Sequence, residues 1–97
     1  MRILSKRTLR EFWKIHSDCE QQLLIWYSET SKAEYNLAKE VIDNFANCRS
    51  IGNSRFVFKI KGNNYRLIVK MSFELKTVWI RFIGTHHEYD KIDPHKI

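Results

Sequence analysis

A chain of 97 residues is expected to form one domain, residues 1–97, around one core, because a body this small buries too little surface for two. Apolar residues make up 43% and charged residues 29%, with one Pro and three Gly, which excludes long disordered stretches, and no apolar run is long enough to span a bilayer. The formal net charge of +6 favours polyanionic partners, chiefly nucleic acid.

Residues 1–7 are basic but lack the apolar region of a signal peptide, so a cytoplasmic location with no membrane partner is expected. Residues 5–16 read as a helix, with Ser5 at the cap and Leu9, Phe12, Trp13 and His16 recurring at helical spacing. Ser17-Asp18-Cys19-Glu20 has the form of a capping box. It opens a second helix to about Lys32, with Cys19, Leu23, Trp26, Tyr27 and Thr30 on its apolar stripe. Asn36 stands at the cap of a short third helix bearing Leu37, Val41, Ile42 and Phe45. Asn47–Ser54 shows no period and reads as a loop. Cys19 and Cys48 lack CxxC spacing and read as free thiols rather than a disulfide or a metal pair.

From Arg55 the period becomes two. Phe56, Phe58 and Ile60 alternate with Arg55, Val57, Lys59 and Lys61, and Gly62-Asn63-Asn64 marks a turn. Tyr65, Leu67, Val69 and Met71 then alternate with Arg66, Ile68, Lys70 and Ser72, and Glu74-Leu75-Lys76 makes a second turn. A third strand sets Val78, Ile80 and Phe82 against Trp79, Arg81 and Ile83, and Gly84 ends it. Thr85-His86-His87-Glu88 has the form of another capping box, opening a short helix or turn. Helices followed by an antiparallel meander predict an α+β fold.

Between Arg55 and Arg81 stand Arg55, Lys59, Lys61, Arg66, Lys70, Lys76 and Arg81 against the single acid Glu74. If the apolar set packs on the helices, Arg55, Lys59, Lys61, Arg66, Lys70 and Arg81 share the opposite face of the sheet. Val57, Ile68, Trp79 and Ile83 lie among them, a floor suited to a stacked base with its phosphate held alongside. The bland alternatives are a solvated face, or one covered by a partner protein. Beyond the last strand, His86, His87 and Tyr89 supply imidazoles and a phenol for acid/base work. The two histidines are adjacent, with no Cys or His at ligand spacing, so neither a metal nor another cofactor is expected.

Residues 55–70 (RFVFKIKGNNYRLIVK) and 80–93 (IRFIGTHHEYDKID) resemble signature segments of the HigB branch of the RelE toxin superfamily. The pieces LREFW at 9–13 and LLIWY at 23–27 fit the same family, so the resemblance covers nearly the whole chain. It implies a RelE-like fold: two or three N-terminal helices on an antiparallel sheet, with a short C-terminal helix or turn. It also implies an endonuclease that acts on mRNA at the ribosome and is neutralised by a HigA-type helix-turn-helix antitoxin. In the chemistry of such toxins the 2′-hydroxyl attacks the adjacent phosphate. Carried over by position, Lys59 and Lys61 would fall on a Lys-x-Lys pair that neutralises phosphate charge or activates the nucleophile. Arg66 would stabilise the phosphorane, while His86 and Tyr89 would share proton transfer and stacking. On this reading Lys59, Arg66, His86 and Tyr89 are the catalytic set, and Arg55, Lys61, Lys70, Trp79, Arg81 and His87 bind RNA. Histidine stands where an additional arginine is common in such toxins, and Arg81 is a candidate substitute. The competing classes are a ParE-like gyrase inhibitor and a non-catalytic nucleic-acid-binding module.

Overall fold

The two-residue alternation of residues 55–85 becomes the frame on which everything else packs. The computed structural model describes residues 1–97. In chain order it runs β1 (Arg2–Leu4), α1 (Lys6–Ile15), one 3-10 turn (Ser17–Cys19), α2 (Glu20–Lys32), α3 (Ala38–Asn44), β2 (Cys48–Gly52), β3 (Arg55–Ile60), β4 (Tyr65–Ser72), β5 (Thr77–Thr85) and α4 (His86–Tyr89). The strands form one sheet in the order β1-β5-β4-β3-β2, antiparallel except for β1, which runs parallel to β5. Three helices on a mostly antiparallel sheet, with a short helix after the last strand, make the expected α+β fold. No helix is long and apolar enough to cross a membrane.

The helices face the sheet through the stripes that their sequences dictate. Leu9 of α1, Leu23 and Trp26 of α2 and Val41 of α3 are buried against Phe56, Phe58, Leu67 and Val69. Phe58 sits edge-on to both Trp26 and Phe45, with centroids 5.5 and 5.3 Å away, the arrangement that aromatic quadrupoles favour. The helix starts differ from the reading above. Neither Ser5 nor Ser17 makes a side-chain cap bond, and residues 17–19 form a separate 3-10 turn before α2. At α3 the cap is supplied from within the helix. The Glu40 carboxylate accepts from the main-chain N–H groups of Asn36 at 3.0 Å and Leu37 at 2.9 Å.

Two strands appear where none was expected. β1 has three residues and is anchored by Ile3, which pairs with Val78 in the core. The supposed loop 47–54 contains β2, which pairs with β3 through a turn at Asn53 and Ser54. Both turn residues have positive φ, 55° and 60°, which matches the twist that two-residue hairpins need. β2 is an edge strand with no fully buried residue, so it carries no apolar alternation to betray it.

The third strand also corrects the assignment of faces. Ile68 pairs with Phe82 but Val69 pairs with Ile80, so Arg81 is the extra residue of a bulge. Beyond the bulge the alternation is inverted. Ile83 packs against the core, and Phe82 turns to the outer face that the sequence reading had given to Ile83. The strand also continues past Gly84 to Thr85.

Candidate active site

On the outer face of the sheet the register sets out three cross-strand rows. Lys59 faces Arg66, which faces Gly84; Val57 faces Ile68, which faces Phe82; Arg55 faces Lys70, which faces Trp79. Two cationic rows therefore flank an apolar one. Like charges directly opposite repel, and none of the ion pairs in the molecule involves Arg49, Lys59, Arg66, Lys70 or Arg81. This face carries positive charge that the protein itself leaves without carboxylate partners.

A cavity of about 420 Å³ opens at the first row, lined by Ala46, Asn47, Cys48, Arg49, Val57, Lys59, Arg66 and Tyr89. Asn47 fixes the backbone beneath it: its Nδ2 donates to the Lys59 carbonyl at 2.6 Å, and the Lys59 N–H donates to the Asn47 carbonyl at 2.9 Å. The Lys59 side chain is left exposed. Arg66 is only 7% exposed and held on several sides. Its Nη1 donates to the Asn63 carbonyl at 2.8 Å and to the Tyr65 carbonyl at 3.3 Å, and its Nη2 donates to Asn63 Oδ1 at 3.4 Å. The Tyr89 ring lies against the same guanidinium, 5.5 Å from centroid to carbon, within cation–π range. From β2, Arg49 Nη2 donates to the Tyr89 hydroxyl at 3.4 Å. Burial pushes the Cys48 thiol up to about 12 and the Cys19 thiol to about 11, so both stay protonated and make poor nucleophiles at neutral pH.

Tyr89 is delivered by α4, whose first turn is locked reciprocally. Thr85 Oγ1 accepts from the Glu88 N–H at 3.1 Å, and Glu88 Oε1 accepts from the Thr85 N–H at 2.8 Å. The bond from Thr85 holds the Glu88 carboxyl below its ordinary 4.5. A depressed carboxyl stabilises the fold fully above its unfolded value and loses that contribution as pH falls through the folded one. Acidification from pH 7 is therefore expected to loosen α4 below about pH 4.5. Amide exchange at His86–Tyr89 measures this, and Glu88→Gln, which still accepts a bond, should remove the pH dependence.

Gly84 matters for a different reason. A Cβ there would lie 2.5 Å from Phe82 Cζ and 3.1 Å from Glu88 Oε1, so the aromatic ring and the cap of α4 occupy its place. Gly84→Ala is expected to cost about 1–3 kcal/mol, as overpacking does, and to displace Tyr89. Thermal unfolding together with the Tyr89 ring chemical shifts reads both effects, and an unchanged Tyr89 would sever the proposed link.

Of the residues singled out by sequence, Lys59, Arg66 and Tyr89 come together in this cavity. His86 and His87 are exposed on α4 outside its lining, with His86 Nδ1 3.2 Å from Asp90 Oδ2. Lys61 leaves the cationic rows: it enters the turn at φ 54°, and its N–H donates to Gln22 Oε1 at 2.6 Å. Lys70, Trp79 and Arg81 line a separate hollow at the far end of the face, and Arg55 is buried. Arg49 was missed because β2 read as a loop. Its signal was its place opposite Val57, on the same outer face.

The profile of the HigB toxin family, described as the RelE-like toxic component of a toxin–antitoxin system, matches residues 19–92. The chain is also 27% identical over 94 residues to the mRNA interferase HigB of Escherichia coli O6:H1 (strain CFT073), covering 95% of this chain and 91% of that protein. The matched span contains all of the cavity lining and both cationic rows. The chain belongs to the HigB family of RelE-like toxins, the toxic components of toxin–antitoxin systems.

Proposed function

We propose that this toxin is an endoribonuclease that cleaves mRNA on the translating ribosome, with residues 1–97 acting as one domain. The observation carrying the reading is the cavity itself: Lys59, Arg66 and Arg49, none with a carboxylate partner, converge with the Tyr89 phenol. The similarity to a protein named an mRNA interferase supports it. In this mechanism the ribose 2′-oxygen bonds to the adjacent phosphorus as the bond to the 5′-oxygen breaks, leaving a 2′,3′-cyclic phosphate and a 5′-hydroxyl. DNA lacks the attacking group, so RNA is the substrate. Arg66 and Lys59 face the phosphate and hold the charge that grows on its free oxygens in the phosphorane. Tyr89 Oη gives its proton to the departing 5′-oxygen. The imidazole of His86, three residues before Tyr89 on α4 and with Nδ1 toward Asp90, takes the proton of the 2′-hydroxyl. Lys61, His87, Lys70, Trp79, Arg81 and Arg55 contact flanking RNA. No cofactor enters the scheme. A HigA-type helix-turn-helix antitoxin is the neutralising partner, and the setting is the cytoplasm.

Primer extension on a reporter message, with and without its translation, tests the reading. Discrete cuts that need translation and leave 5′-hydroxyl ends are expected. Growth arrest with intact message would replace the nuclease with a gyrase inhibitor or a plain RNA-binding protein.

A further inference from the structure

Away from the cavity, the same face carries cations that are covered by the segment following α4. Arg55 is 6% exposed, and its Nε and Nη2 both donate to the main-chain oxygen of Ile97, at 3.1 and 2.7 Å. Its Nη1 donates to the Asn53 carbonyl at 3.3 Å. The bulge at Arg81 brings a second guanidinium to the Ile97 oxygen, with Nε 3.4 Å away. A single oxygen held by two guanidiniums is the contact that a phosphate oxygen makes with arginines. Next to it lies a hollow of about 560 Å³ whose lining includes Lys70, Trp79 and Arg81. Lys70 and Trp79 face each other across β4 and β5, a cation beside an indole, as base stacking with backbone contact requires.

The covering segment is tied to the rest of the molecule through polar contacts rather than through the core. Apart from the arginine contacts, Asn53 Nδ2 donates to the His95 carbonyl at 3.3 Å. Asp93, the acid within residues 93–97, turns inward to the segment's own His95 and Lys96 rather than to any cation of the sheet. A few polar contacts to Ile97 and His95 thus hold a stretch whose Asp93, His95 and Lys96 are exposed.

The geometry points to a second RNA subsite, in which Arg55 and Arg81 take a phosphate and Trp79 stacks a neighbouring base. Residues 93–97 are a strap that RNA displaces to reach it. The subsite rests on the endoribonuclease reading and extends it to nucleotides flanking the cut. Arg55 and Lys59 are four residues apart on β3, about 13 Å at strand rise, so a strand touching both rows spans more than one nucleotide. The strap makes binding conditional: the apparent affinity of the open subsite is reduced by the fraction of time it is covered.

The test uses the full chain and an octaribonucleotide methylated at every 2′-oxygen, which cannot be cut. Titration is followed by the Nε–H signals of the arginines and the amide of Ile97. The expected result is that Arg66, Arg55, Arg81 and Ile97 shift with one midpoint. Deleting residues 93–97 is expected to tighten binding about fivefold, by removing the covered state, and Arg81→Gln in that shortened chain should cancel the gain. Shifts at Arg66 with Arg55, Arg81 and Ile97 unmoved overturn the subsite and leave the cavity reading standing; no shift anywhere also overturns the subsite, which requires the toxin itself to hold RNA, while the nuclease reading is decided by the primer extension. Unchanged or weaker binding on deletion overturns the strap, and the full-chain titration decides by itself if the shortened chain does not fold.

Discussion

Arg66→Ala is expected to lower the rate of RNA cleavage by about 10²–10³-fold, equivalent to about 2.7–4 kcal/mol of transition-state stabilisation, and to abolish growth arrest. The size of the effect follows from the position of the guanidinium. Arg66 is nearly buried, fixed through the Asn63 and Tyr65 carbonyls, and backed by the Tyr89 ring, so it meets growing charge without having to reorganise. Its loss from the fold is a smaller matter. The nearer carbonyl partner, that of Asn63, lies in the turn before β4 and is only partly buried, so the stability cost is about 1–2 kcal/mol. Arg66→Lys should not rescue activity, because an ammonium on a flexible stem cannot reproduce the planar fork. Single-turnover cleavage of a message held on translating ribosomes, beside circular dichroism of both variants, measures the two effects separately. A folded Arg66→Ala protein that cuts at the parent rate would remove this site from the reaction.

Tyr89→Phe is expected to be the next most damaging change, with a loss of about 10²-fold or more in cleavage rate and little change in stability. The substitution preserves the ring that lies over Arg66 and removes only the oxygen that Arg49 contacts. Any deficit therefore reports the hydroxyl, not the packing. If the phenol protonates the departing 5′-oxygen, a substrate with a better leaving group at that position should recover most of the rate with Tyr89→Phe and little with Arg66→Ala. Equal recovery in both variants would argue against a proton donor at Tyr89. Arg49 is tested by the same comparison. Its contact to the phenol oxygen predicts that Arg49→Gln lowers cleavage by less than Tyr89→Phe does.

Much of this architecture is readable from the sequence. The stripes Leu9/Phe12/Trp13 and Leu23/Trp26/Thr30 are periodic enough to fix both the helices and the faces they bury. The Thr85–Glu88 box was equally plain, since a hydroxyl and a carboxylate three residues apart satisfy orphan amides at a helix start whatever lies around them. Ser5, Ser17 and Asn36 show the limit of that logic. A residue suited to a cap bonds there only if its side chain turns to the free amides: Ser5 stands at the cap of α1 without doing so, and Asn36 Oδ1 accepts instead from Lys76 Nζ, across the molecule.

The cationic face was legible as a set because alternation forces residues two apart onto one side of a strand. It did not reveal which of them meet. Periodicity is a local property, while pairing, bulges and edge strands are settled between segments distant in sequence. The chain alone determined the α+β class, the three long strands and the chemistry available to the site. Tertiary structure decided the rest. A one-residue bulge at Arg81 exchanged Phe82 with Ile83, an edge strand too exposed to show a pattern carried Arg49 to Tyr89, and a folded-back segment buried Arg55 beneath Ile97. Each of these is a contact whose free energy depends on a partner that a local reading of sequence cannot see.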